Sequence, residues 1–142
     1  MGGVRGNRGV VAASVGQLGL ALAGFMVAVR RGHAYDVPLL HGDPARMLEQ
    51  SVVMGTALSQ PAAMMAAQAW LTAVVARRGD PRAVRGLQVL GGVMLAGYLA
   101  ERLVRTRLRW HGWDPVETPL VVAGMGLSAA MVPLGFTARR RR

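Results

Sequence analysis

The sequence predicts an all-α integral membrane bundle of four helices with both termini in the cytoplasm. Three observations predict it: four long stretches almost free of charge, a composition rich in small and apolar residues, and arginines confined to the edges of those stretches. The 142 residues form a single membrane domain on this reading, with spans near 9–29, 51–76, 86–104 and 119–136.

Gly9 to Val29 carries no charge over 21 residues. At about 1.5 Å per residue it covers the roughly 30 Å hydrocarbon core. Arg5 and Arg8 precede it as the basic region of a signal peptide would. The apolar stretch nevertheless exceeds the about 7–15 residues of such a segment, and Val27-Ala28-Val29-Arg30-Arg31 is a poor cleavage site. A retained helix is expected.

The second uncharged stretch, Ser51 to Ala76, is longer. Asp43-Pro44 should start its helix early, because Asp accepts from free N–H groups and Pro has none to leave unpaired. Arg46 and Glu49 would then lie on a helical turn outside the membrane. A helix from Pro44 to Ala76 would run about 50 Å, so a bend at Pro61 is expected, with the carbonyl of Ala57 freed. Asp80-Pro81 starts the third helix, which extends to Val104 if Glu101 and Arg102 sit at the interface. Asp114-Pro115 or Thr118-Pro119 starts the fourth, with Glu117 at the capping-box position. Small-residue pairs such as Ala12/Gly16, Gly92/Ala96, Gly124/Ser128 and Gly126/Ala130 permit close helix approach.

Hydrophobic residues make up 52% of the chain, and mean hydropathy is +0.31. Cysteine is absent, which excludes disulfides, thiolate metal sites and cysteine nucleophiles. All 17 basic residues are arginine and the net charge is +10. Their placement at span edges is the pattern that orients a membrane protein, so no nucleic-acid partner is expected. The exclusive use of arginine points to a GC-rich, bacterial source.

Orientation follows from where the arginines fall. One side holds ten: Arg5, Arg8, Arg77, Arg78, Arg82, Arg85 and Arg139 to Arg142. The other holds seven: Arg30, Arg31, Arg46, Arg102, Arg105, Arg107 and Arg109. The richer side is read as cytoplasmic, and the membrane as the inner (plasma) membrane. The terminal Arg run is read as a contact for anionic lipid headgroups.

Polar chemistry gathers in two places. The outer loops hold His33, Asp36, His41, Trp110, His111, Trp113 and Asp114. Imidazole and carboxylate suit zinc or copper, but no pair has a recognised metal spacing, so no metal site is expected; solvated loop residues and helix caps explain them. Trp110 and Trp113 fit an interfacial aromatic belt, with neighbouring Arg side chains snorkelling. The second place is the spans. Tyr98, Glu101 and Arg105 are spaced to share a helix face, with Glu101 and Arg105 an i,i+4 ion pair. Gln17, Gln60, Gln68 and Gln88 should face the bundle, since amides in lipid need partners. Gln60 beside Pro61 is placed to line a binding cavity.

The chain has no phosphate loop, nucleophile elbow, zincin motif or dinucleotide fingerprint, and no cofactor is expected. The four-span outline is shared with small multidrug transporters, whose pattern requires a glutamate in the first span; here that span carries Gln17 and no acid. The leading expectation is an accessory subunit or a bundle that binds a lipid-like ligand, without catalysis of its own. Its partners would be membrane lipids and either other membrane subunits or further copies of itself. A transporter using Glu101 and the Gln60-Pro61 kink is the alternative, and a membrane enzyme or metal binder using the outer His and Asp residues is the third.

The topology is testable directly. A cytoplasmic reporter fused after Arg142 should be active, and one fused at Gly112 silent. The reverse pattern would overturn the orientation.

Overall fold

A computed structural model describes residues 2–56 and 58–140. Met1, Ala57 and the last two arginines lie outside them, and with Ala57 the carbonyl expected to be freed. The fold is mostly helical. Helix α1 spans Gly2–Arg31, α2 Met47–Ser51, α3 Ala62–Arg78, α4 Pro81–Ala100, α5 Arg102–Arg107 and α6 Glu117–Arg140. A two-stranded hairpin, β1 (Asp36–Val37) and β2 (Leu40–His41), follows α1. Its strands are antiparallel and set Asp36 opposite His41. Short 3-10 turns occupy Pro44–Arg46 and Trp110–Gly112.

The four long helices pack side by side, α1 against α6 and α3, and α4 against α6 and α3. Neighbours run antiparallel. Gly9 and Gly16 of α1 meet Leu134 and Leu127 of α6, while Gly91 of α4 meets Ser128 and Gly124 of α6 meets Tyr98. The start of α1 and the end of α6 therefore lie at one end of the molecule, with the hairpin, α5 and the start of α6 at the other. Of the expected small-residue seats, Gly16 and Gly124 are used, whereas Gly92 and Gly126 face open space.

Three helices are long and apolar enough to cross a membrane: α1 over Asn7–Arg31, α4, and α6 over Glu117–Ala138. Large apolar side chains turn outward on all four long helices, among them Leu22, Trp70, Val89 and Val122. Polar ones turn inward: Ser14, Gln17, Gln68 and Ser128 are completely buried. Water would penalise this distribution, whereas hydrocarbon favours it, because lipid solvates the apolar faces and leaves polar groups to pair between helices.

Helix starts follow the Asp-Pro signals. Asp80 Oδ1 accepts from the Arg82 N–H at 2.8 Å, with Pro81 opening α4. Asp114 Oδ1 accepts from Val116 and Glu117 N–H groups at 2.9 and 2.7 Å and so sets the start of α6. Asp43 Oδ1 accepts from Ala45 N–H at 2.9 Å, and the turn at Pro44–Arg46 does lead into α2.

The second stretch differs from expectation. It is not one bent helix from Pro44 to Ala76. Helix α2 ends at Ser51, the chain turns through Val52–Met54, and α3 begins only at Ala62 with Pro61 as its N-cap. Two residues account for the break. Gly55 adopts φ +79°, a conformation that L side chains avoid. Pro61 cannot donate to a preceding turn and forces the residue before it toward extended backbone. Between them Thr56 and Ser59 form a two-residue bridge, with N–H to carbonyl bonds of 3.0 and 3.3 Å and hydroxyls 3.0 Å apart. The Val52 carbonyl accepts from the Ala63 N–H across the break. At 17 residues, α3 covers about 25 Å, short of the roughly 30 Å core.

The broken segment folds inward. Gly55, Thr56, Leu58 and Ser59 are buried. The Leu58 carbonyl lies against the backbone of Gly24 on α1, where a Cβ would collide with it. Gly24→Val should therefore unseat this segment and lower stability by about 1–3 kcal/mol. Gly19→Val, on the exposed face of the same helix with nothing within 4 Å, should change the melting temperature in detergent little. Equal losses for the two variants would disprove the seating role.

Candidate functional site

The end of the molecule opposite the start of α1 and the end of α6 is built on Glu117. This first residue of α6 is completely buried. Its Oε1 lies 2.6 Å from Arg31 Nη1 and 3.0 Å from His33 Nε2, and its Oε2 2.7 Å from Arg107 Nε. Arg31 Nη1 also reaches Asp114 Oδ2 at 2.9 Å. Arg107 donates to the Gly112 carbonyl at 3.1 Å. One carboxylate thus ties together the end of α1, α5 and the start of α6. Asp114 is doubly engaged, since its carboxylate caps α6 as well as pairing Arg31. Chiefly the backbone N–H groups of Glu117 and Val116, aided by Arg31, lower its pKa from the ordinary 3.8 to about 2.

Glu101 is the second buried carboxylate, and its surroundings differ. The chain is extended there (φ −69°, ψ 126°), which separates α4 from α5. The expected i,i+4 pair with Arg105 is therefore not made, because the two residues do not share a helix. Arg105 Nη1 donates instead to the Leu99 carbonyl at 3.4 Å. Both oxygens of Glu101 accept from the Asp36 backbone N–H, at 2.9 and 3.2 Å. That contact holds the hairpin over the end of α4. The Asp36 side chain turns to His41, 3.1 Å away, with Arg102 at 4.0 Å.

Glu101 lines a cavity of about 160 Å³ between the broken segment, α4 and the hairpin. Gln60, Tyr98 and Ser59 share its wall with Met54, Met64 and Val93. The structure thus brings together Glu101, Tyr98 and Gln60, three residues singled out in the sequence. Exposed Val93 and Gly97 mark its mouth.

Below the cavity the amides form a clamp between α1 and α3. Gln60 Nε2 donates to Gln68 Oε1 at 2.7 Å, and Gln68 Nε2 donates to the Ser14 carbonyl and hydroxyl at 3.1 and 3.0 Å. Ser14 and Thr72 hydroxyls meet at 2.7 Å. Gln17 is fully buried beside Tyr98, yet neither of its amide atoms makes a hydrogen bond of standard geometry. Gln88 donates to the Val132 carbonyl at 2.9 Å.

The outer-rim residues divide. His33 and Asp114 belong to the Glu117 network, and Asp36 and His41 to the hairpin. Trp110, His111 and Trp113 stand exposed beyond α5, the two tryptophans beside Arg109 on an apolar groove. Among the described residues, no three His, Asp or Glu side chains come together to hold a metal ion. Arg31, Arg107 and Glu117 were not among the sequence candidates for a site. Glu117 read only as a helix cap, and its partners lie 86 and 10 residues away. No protein family, curated protein or solved structure matches the chain.

Replacing Glu117 by glutamine would leave Arg31 and Arg107 without their shared anion. The expected loss is about 3 kcal/mol, at the low end for a broken buried pair because both arginines keep some contact with water. Thermal unfolding of the purified variant would measure it. A change below about 0.5 kcal/mol would show that the network does not hold this end together.

Proposed function

We propose that the chain is an integral protein of the plasma membrane that crosses it four times with both termini cytoplasmic. On this reading α3 and the broken segment above it together make the second crossing. The protein binds the head of a lipid-like molecule in the cavity beside Glu101 and works with membrane partners, without catalysis of its own. The observation that carries this is the cavity itself. Its walls are mostly apolar, a few polar groups converge at one side, and its mouth lies on a face that hydrocarbon would cover. Irregular backbone at membrane depth is tolerated where it lines such a cavity, and Thr56, Ser59 and Gln60 do so.

The broken second segment also favours a transporter as a second reading, since discontinuous helices commonly surround substrate sites in transporters. Substrate flux in reconstituted vesicles that is lost on cavity filling would support that reading over simple binding.

Gly97 offers the test. A Cβ there meets nothing within 4 Å, so Gly97→Leu should cover the mouth of the cavity without a clash. Protein extracted in mild detergent should retain a small amphipathic molecule detectable by mass spectrometry, and Gly97→Leu should lose most of it while unfolding at the same temperature. Equal retention by both proteins, or none by either, would overturn the proposal.

A further inference from the structure

We infer that the cavity beside Glu101 selects a ligand whose head is a protonated amine bearing N–H groups, an inference that rests on the binding reading above. Unused hydrogen-bonding capacity on the cavity wall points to it. Glu101 is 6% exposed, and its two oxygens share one backbone N–H donor. An ionised carboxylate accepts at about four positions; besides that donor it faces only the backbone N–H groups of Arg102 and Leu103 at the start of α5, and among the described residues no side chain donates to it. Among the described residues no arginine or histidine comes within ion-pair distance of it. The flanking arginines are turned elsewhere, Arg102 toward Asp36 and Arg105 to the Leu99 carbonyl.

Gln60 points the same way independently. Its Nε2 is committed to Gln68, whereas its Oε1 is buried without a partner. The unfilled positions on the cavity wall are thus acceptors. A ligand that satisfies them must donate, and beside a carboxylate a cation donates best. A carboxylate- or phosphate-headed molecule would instead meet Glu101, with Asp36 behind it. The volume fits a head group and its first few carbons, not an entire drug-sized molecule, for which about 300 Å³ or more is usual. The rest of the chain would leave through the mouth at Val93 and Gly97 into the surrounding hydrocarbon.

Full-length protein in nanodiscs of zwitterionic lipid can be titrated with octylamine, octan-1-ol, octanoate and octyltrimethylammonium, with binding read by saturation-transfer NMR. Empty nanodiscs correct for partitioning. Octylamine should bind at least about ten-fold more tightly than octanol, the scale of a hydrogen bond to a charged group. Octanoate should not compete with it. Octyltrimethylammonium, which has the charge and no N–H, should bind no better than octanol. Glu101→Gln should bring octylamine and octanol within about two-fold of each other. Amine and alcohol binding equally, both blocked by Gly97→Leu, would overturn the amine inference and leave the binding reading standing. No probe binding above empty nanodiscs would overturn both. The ligand series uses the unaltered protein, so its outcome does not depend on whether Glu101→Gln folds.

Discussion

A hydrocarbon environment offers no water to a free peptide group, so each N–H and C=O must find a partner within the protein. If α3 and the segment before it make a second crossing, the break between α2 and α3 is where this constraint bears hardest. The chain leaves the helix there yet folds into the interior, and it meets part of the requirement locally. The Thr56–Ser59 bridge pairs two N–H groups with two carbonyls and brings two hydroxyls together. Gly24 gives the Leu58 carbonyl room to lie against α1. Had the segment stayed helical, Gln60 and Pro61 would belong to a helix wall. Instead they turn toward α4 and, with Tyr98 and Glu101, enclose the cavity.

The opposite requirement governs the end of the molecule where α1 and α4 finish. Here charge is abundant, and the question is which charges are neutralised. Glu117 gathers two arginines and a histidine, so three elements far apart in sequence meet at one carboxylate. This network fixes α5 against α6 and the end of α1, and the hairpin that follows α1 is thereby delivered over α4. Only then can the Asp36 N–H reach Glu101. The cavity thus has two determinants, the broken segment on one side and the Glu117 network on the other.

How much of this was legible depends on the range of the interaction. Local signals read well. The Asp-Pro pairs at Asp80 and Asp114 cap α4 and α6 as expected, because a cap involves neighbours only. The buried amides of Gln68 and Gln88 were expected to turn inward, since the cost of an unpaired amide in lipid does not depend on fold details. The length of the uncharged stretch and Pro61 within it predict a bent helix, although a glycine and a proline bracketing Thr56 and Ser59 are loop chemistry. The extended backbone at Glu101 had no local mark at all: neither Gly nor Pro stands there, and its partner lies 65 residues away. The Arg31–Glu117 contact, across 86 residues, was equally out of reach.

The two buried glutamates carry opposite implications for function. Burying a charge is costly, and a fold that does so for its own stability supplies compensating partners. Glu117 has them: three cationic or potentially cationic side chains within 3.0 Å. Glu101 has backbone N–H groups alone, chiefly that of Asp36, and an open cavity beside it, although Arg102 is its immediate neighbour and Arg105 lies four residues on. Holding the hairpin would need only one neutral acceptor, which a glutamine would provide without the burden of a buried acid. A carboxylate there, with the nearby guanidinium groups turned outward, is better explained by a cation that arrives from outside the fold.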